Sequence, residues 1–301
     1  MNRLTASFLV LLGAASYGLI SPIVKMAYDA GFTPQDVTSS QYAFSLLVLA
    51  GLIASRWNAF RKLTRRDVRL LSFLGILGTG TSIFYYVSLE YLPASLAIVL
   101  LFQFAWIVMV IDYLVTRKKP SPVKWLSLAF IMIGTMFAVN LFETDWSRVS
   151  AFGLLLGLLS SVTYGLFLFW NGKVESKAPA IINSFVIASA SLVSISIVFP
   201  PKFLWNGTLG EGLWIWALMI GCLGQVIPPI LFNKGIPVVG GSLAGLLASI
   251  ELPVAVVAAL LLLKESVTLS EWLGIGLIVT GIIVAEVMDR ELVLKLEKAH
   301  E

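Results

Sequence analysis

Residues Val239–Leu263, VGGSLAGLLASIELPVAVVAALLLL, form an apolar run long enough to cross a bilayer, with one ionisable side chain, Glu251, at its centre. A carboxylate at that depth is costly unless it is paired, protonated or set in a water-filled cavity, so an intramembrane Glu marks an ion or substrate path. The competing reading is local: Glu251 caps backbone freed by Pro253, two residues further on.

The rest of the chain has the same character. Of its 301 residues, 58% are hydrophobic and 13% charged, and the mean hydropathy is +0.92, against roughly 25% charged in a soluble domain. An all-α polytopic membrane protein is expected, with ten apolar segments at about 4–27, 35–55, 69–89, 92–115, 122–141, 150–172, 179–199, 212–236, 239–263 and 270–288. The first is too long for a signal-peptide core and is expected to stay in the mature protein. Short connections carrying Gly, Pro or charge runs make successive segments antiparallel neighbours.

Placing both termini in the cytoplasm puts the clusters Arg56–Arg69 and Arg117–Lys124, with Arg3, Lys173, Lys177, Lys234, Arg290, Lys295 and Lys298, on the cytoplasmic side. Only Lys25, Arg148, Lys202 and Lys264 then face out, the asymmetry expected of a protein in the cytoplasmic membrane. Trp57, Trp125, Trp146, Trp205, Trp214 and Trp272 lie near segment ends, where indoles anchor at the headgroups. Basic residues at segment ends rather than on one helix face argue against nucleic acid as a partner. The one cysteine, Cys222, and the one histidine, His300, are too few for a thiolate or histidine metal site or a His-based triad, so neither a cofactor nor an enzyme is expected.

Shifting the chain against itself by about 147 residues lays Ser16-Tyr17-Gly18 on Thr163-Tyr164-Gly165, Ser95 on Ser242, Trp125 on Trp272 and Gly134 on Gly281. Gly75-Ile-Leu-Gly78 meets Gly221-Cys-Leu-Gly224 with a one-residue slip. Two five-helix repeats follow, residues 1–145 and 146–301, the second with a short C-terminal tail. Because five is odd, the second repeat enters the membrane inverted, the architecture of secondary transporters.

These features resemble the drug/metabolite transporter superfamily, in its ten-helix EamA-type branch. The likeness is carried by the Tyr17-Gly18 and Tyr164-Gly165 pairs and by Glu251-Leu-Pro253, followed by Leu261-Leu-Leu-Lys264-Glu265 and Trp272-Leu-Gly274. The first half departs from it: Phe104, beside Gln103, matches Glu251, and Arg117-Lys118-Lys119 stands where the second half has Lys264-Glu265. The resemblance implies a small-metabolite permease, often an exporter of amino acids or similar compounds, with its cavity between the first, third and fourth helices of each half.

Polar and aromatic residues on those segments supply the candidate site: Glu251, Gln103 and Gln225, with Tyr17, Tyr164, Tyr85, Tyr86, Trp106 and Trp170 as an aromatic wall, and Asn171 and Ser249. Ser16, Ser21, Thr79, Thr81, Ser82, Thr163 and Asn233 accompany them. Serines and threonines can instead bond their own helix, whereas a Gln amide needs partners beyond it. Pro22, Pro228, Pro229 and Pro253 interrupt their segments and are candidate hinges.

The function expected is secondary transport of a small amino-acid-like or amine-containing metabolite by alternating access, in the direction of export, with Glu251 coupling a proton or pairing with an amine. The partners are then a small-molecule substrate and the lipid bilayer. The alternatives are an uptake permease for a sugar or other neutral metabolite, or a membrane-embedded protein of assembly or lipid-linked chemistry. No Gly-x-x-x-x-Gly-Lys-Ser/Thr motif is present for driving transport with a nucleotide.

Overall fold

The computed structural model describes residues 1–141 and 149–298, so Trp146, Arg148 and His300 lie outside the described residues. The described residues are helical, with ten hydrophobic spans. These are α1 (Arg3–Gly18 and Ile20–Asp29), α2 (Pro34–Ile53), α3 (Arg65–Ser88), α4 (Ala94–Phe102 and Phe104–Thr116) and α5 (Pro122–Ala138). The second half holds α6 (Ala151–Asn171), α7 (Ala180–Val198), α8 (Trp214–Gly221, a π-helical turn Cys222–Val226, then Ile227–Val239), α9 (Gly241–Ala248 and Glu251–Leu263) and α10 (Leu269–Lys298). Nine spans are long and apolar enough to cross a membrane; α5 is shorter. This is a multi-pass membrane protein.

Local chemistry sets the helix ends. Thr33 caps α2 just before Pro34, and Thr64 and Asp67 form a reciprocal capping box that starts α3 at Arg65, four residues before the start read from hydropathy. Thr268 and Glu271 exchange equivalent bonds at the start of α10, which runs through its charged tail to Lys298 instead of ending near residue 288. Gly240, at φ +84°, turns the chain between α8 and α9, where only glycine is unstrained.

Four helices are interrupted near mid-depth. In α1 the break falls at Leu19, three residues before Pro22. In α8 the π-helical turn precedes Pro228 and Pro229, which occupy the first turn of the next piece, and Ser16 Oγ donates to the carbonyl of Leu223 within that turn at 2.7 Å. The apolar run around Glu251 is two helices: α9 breaks at Ser249–Ile250, and Glu251 opens its second piece. The matching break in α4, at Gln103, has no proline. There the Gln103 side-chain amide donates to the carbonyl of Val99 at 2.9 Å, a side-chain bond competing with the helical ladder.

Packing between the halves repeats with the same offset as the sequence. A Cβ on Gly18 would lie 2.9 Å from Val254 of α9, and one on Gly165 would lie 3.1 Å from Ile107 of α4, each position 147 residues from its mate. Gly134 meets Gly274 and Ile278 of α10 while Gly281 meets Ser127 and Ile131 of α5, again at that offset. Gly75 against Ile187 and Ser191 mirrors Gly221 against Gln41 and Ser45 at an offset of 146, the one-residue slip seen in sequence. The glycines let backbones approach closely, which membrane helices need because lipid provides no hydrophobic drive between them.

Candidate functional site

A cavity of about 490 Å³ opens between the halves. Its α1 wall is one helical stripe, Tyr17, Ile20, Ser21, Val24, Lys25 and Tyr28, the i, i+3, i+4, i+7 pattern of a single face. From α3 come Gly78, Thr81, Ser82, Tyr85 and Tyr86, and from α4 the outer piece with Ala94, Ile98 and Phe102. Tyr164 and Phe167 of α6, Gln225 of α8 and Glu251 of α9 line its deep end. The rim residues Lys25, Tyr28, Leu89 and Ala94 lie at the helix ends remote from both termini, so the cavity opens on the face opposite the termini.

Glu251 is the only carboxylate in this wall, and its side chain has no hydrogen bond or ion pair among the described residues. Lys25, the one cation of the wall, sits at the rim and is bound to Glu265 in the turn between α9 and α10. The cavity is thus a chamber with one acidic group, four tyrosines around it (Tyr17, Tyr85, Tyr86, Tyr164) and two amides, Gln41 and Gln225. Tyr164 packs edge-on against Phe104, at 4.6 Å between ring centroids. Phe104, the residue matching Glu251 in the first half, is fully buried and does not line the chamber, whose apolar wall comes from Ile98, Leu101, Phe102 and Phe167. Such a lining suits a ligand with one cationic and one apolar or aromatic end.

Of the residues singled out from sequence, the structure brings together Glu251, Gln225, Tyr17, Tyr164, Tyr85, Tyr86 and Pro229, with Ser21, Thr81 and Ser82. It places the others elsewhere. The Gln103 amide bonds Val99, and its Oε1 accepts from Trp106 Nε1 at 2.7 Å, closing a local pair on the outside of the bundle where Trp106 is 37% exposed. Trp170, also 37% exposed, stacks edge-on against Phe73 and Phe169. Ser249 is buried and donates to its own helix at Gly245. Asn171 is buried against Asn233, which donates in turn to Ser184. Pro22 and Pro228 are buried beside the breaks in α1 and α8, and Pro253 follows the break in α9. Since Gln103 serves its own helix, Gln103→Ala should lower thermal stability by about 1 kcal/mol and leave substrate preference unchanged; a changed preference in a transport assay would refute this placement.

Sequence reasoning missed Gln41, Tyr28 and Ser191 as lining residues and read Lys25 only as an outward-facing charge. Two signals were available. Thr38-Ser39-Ser40-Gln41-Tyr42 is a run of five hydrogen-bonding residues within an apolar segment, and Tyr28 continues the stripe begun by Tyr17.

The chain can be placed among known proteins. The model of the EamA-like transporter family matches residues 4–140 and again 151–286. The threonine/homoserine exporter RhtA of Escherichia coli K12 is 26% identical over 252 residues, 81% of this chain and 79% of its own. A protein of Archaeoglobus fulgidus named an uncharacterized transporter is 24% identical over 277 residues, 92% of this chain and 94% of its own. One solved crystal structure superposes with a TM-score of 0.76 over 97% of this chain and 99% of that one, at 14% identity, a likeness of fold alone. With both halves matched in tandem, the chain belongs to the EamA-like transporter family.

Proposed function

We propose that this transporter exports a small amine-bearing metabolite, amino-acid-like in size, across the cytoplasmic membrane by alternating access, with both termini in the cytoplasm. The observation that carries this reading is the unpaired Glu251 carboxylate in a chamber of tyrosines and amides with no free cation among its lining residues. A substrate ammonium supplies the missing charge, the tyrosine faces and hydroxyls take its body, and Gln41 and Gln225 can hydrogen-bond a carboxyl or hydroxyl. When the ammonium leaves, a proton takes its place on the carboxylate, so a proton gradient can drive exchange. The threonine/homoserine exporters among the relatives support both the substrate size and the direction.

The test is counterflow in proteoliposomes, with labelled threonine, a primary amine, a quaternary amine and a neutral sugar offered in parallel. Uptake of the amine-bearing compounds, with none of the sugar, is expected. Counterflow of the sugar alone would replace this reading with that of a neutral-metabolite permease.

A further inference from the structure

The pseudo-symmetry identifies the residues that seal the cavity mouth when the transporter faces the other way. On the side of the termini the bundle is shut by three contacts, of α9 with α6, of the end of α6 with α8, and of α9 with α4. A Cβ on Gly241 of α9 would lie 2.8 Å from the Phe169 backbone and 3.1 Å from the Leu168 carbonyl on α6, and a Cβ on Gly172 would lie 3.6 Å from Ile236 of α8. A Cβ on Gly245 of α9 would lie 3.7 Å from the Cβ of Val108 on α4.

Moving each partner back by 147 residues gives its mate at the opposite face. Gly241 with Leu168 becomes Ala94 with Ser21, Gly172 with Ile236 becomes Lys25 with Leu89, and Gly245 with Val108 becomes Ile98 with Ala255. All six of these mates line the open cavity. The outer piece of α4 makes no extended packing against α1 or the outer piece of α9, although the mirrored elements are packed together. The hydrogen bond from Asn171 to Asn233 fits the same scheme: its mates are Val24 and Tyr86, both in the cavity wall. Asn171 Oδ1 is buried with no hydrogen-bond partner, so opening that side would hydrate an acceptor the closed packing leaves unmet.

We propose that the inward-open state closes the mouth by packing Ser21, Lys25 and Ala255 onto Ala94, Leu89 and Ile98, while the mirrored contacts of Gly241, Gly172 and Gly245 separate. The pair between Lys25 and Glu265 has a part in this. Lys25 stands where the mirrored seal has Gly172, so its side chain must be drawn aside from the closing face, as its bond to Glu265 does. The inference rests on the transporter reading only in expecting both states to be visited.

The test uses a Cys222→Ser background with two cysteine pairs, Gly245→Cys with Val108→Cys and Ile98→Cys with Ala255→Cys, oxidised in proteoliposomes and read by mass spectrometry. The 3.7 Å spacing of the first pair lies within disulfide range, so it should close at once. A minor state holding about 0.1–10% of molecules makes the second pair close about ten- to a thousandfold more slowly. In protein carrying all four cysteines, either disulfide should form but never both in one molecule. Both disulfides together, or an outer pair that never closes while the inner one does, would overturn the proposal. Exclusive disulfides in a protein without counterflow of any compound above would uphold the seal and sink the transport reading instead.

Discussion

Glu251→Gln should abolish counterflow of amine-bearing substrates while the protein still inserts and folds. The change keeps the size of the side chain but removes its charge and replaces one acceptor oxygen with an NH2 donor. A hydrogen bond to a charged group contributes about 1.5–3 kcal/mol, which corresponds to roughly a ten- to hundredfold loss of affinity. Under the proposed function the variant should lose gradient-driven export as well. The measurements are counterflow and pH-jump-driven flux in proteoliposomes, with thermal unfolding as the control for folding. Wild-type flux in the variant would show that the charge is not part of the transport step, and the chamber would then have to recognise its substrate through tyrosines and amides alone.

Gly18→Ala should be the most damaging of three glycine substitutions near the cavity. A Cβ there would sit 2.4 Å from the carbonyl oxygen of Glu251 and 2.9 Å from Val254, so α1 and α9 must move apart at the level of the site. Forcing extra volume into close packing costs about 1–3 kcal/mol, and the displaced neighbour is the backbone that carries the carboxylate. Gly165→Ala, the mirrored change, meets Ile107 at 3.1 Å and should be milder. Gly78 lines the cavity with nothing within 4 Å of an added Cβ, so Gly78→Ala should be nearly silent in stability. Thermal unfolding of the three variants ranks them, and Gly78→Ala proving worst would contradict the packing described above.

The ten segments were legible because bilayer thickness imposes a length that apolar runs reveal directly, and the repeat was legible because its glycines hold positions where backbones touch. Gly134 and Gly281, matched in sequence, do the same job in the fold, each against the helix that carries the other. The break in α4 was not legible: helix interruptions announce themselves through proline, and Gln103 makes its break with an amide bonded to its own helix. For the same reason Gln103 looked like a lining residue. Hydropathy shows that a polar group needs a partner but not whether that partner is a substrate or a carbonyl four residues back. Glu251 was easier to place, since a carboxylate has no such local solution, and Tyr17 and Tyr164 were picked out by matching each other at the offset of the repeat. Gln41 was hidden by the serines and threonine around it, most of which bond the carbonyls of their own helix.

The exchange of Phe104 for Glu251 at matching positions also bears on stoichiometry. Two symmetric carboxylates could hold a proton and an ammonium at once, or two of either. With Glu251 as the one carboxylate of the lining and Phe104 buried outside it, the chamber offers a single acidic seat. Under the proposed reading, proton and amine are therefore rivals, each admitted by the departure of the other, and the machine counts one for one. The two halves repeat one fold for the motion, yet under that reading the exchange is set by a residue that only one of them carries.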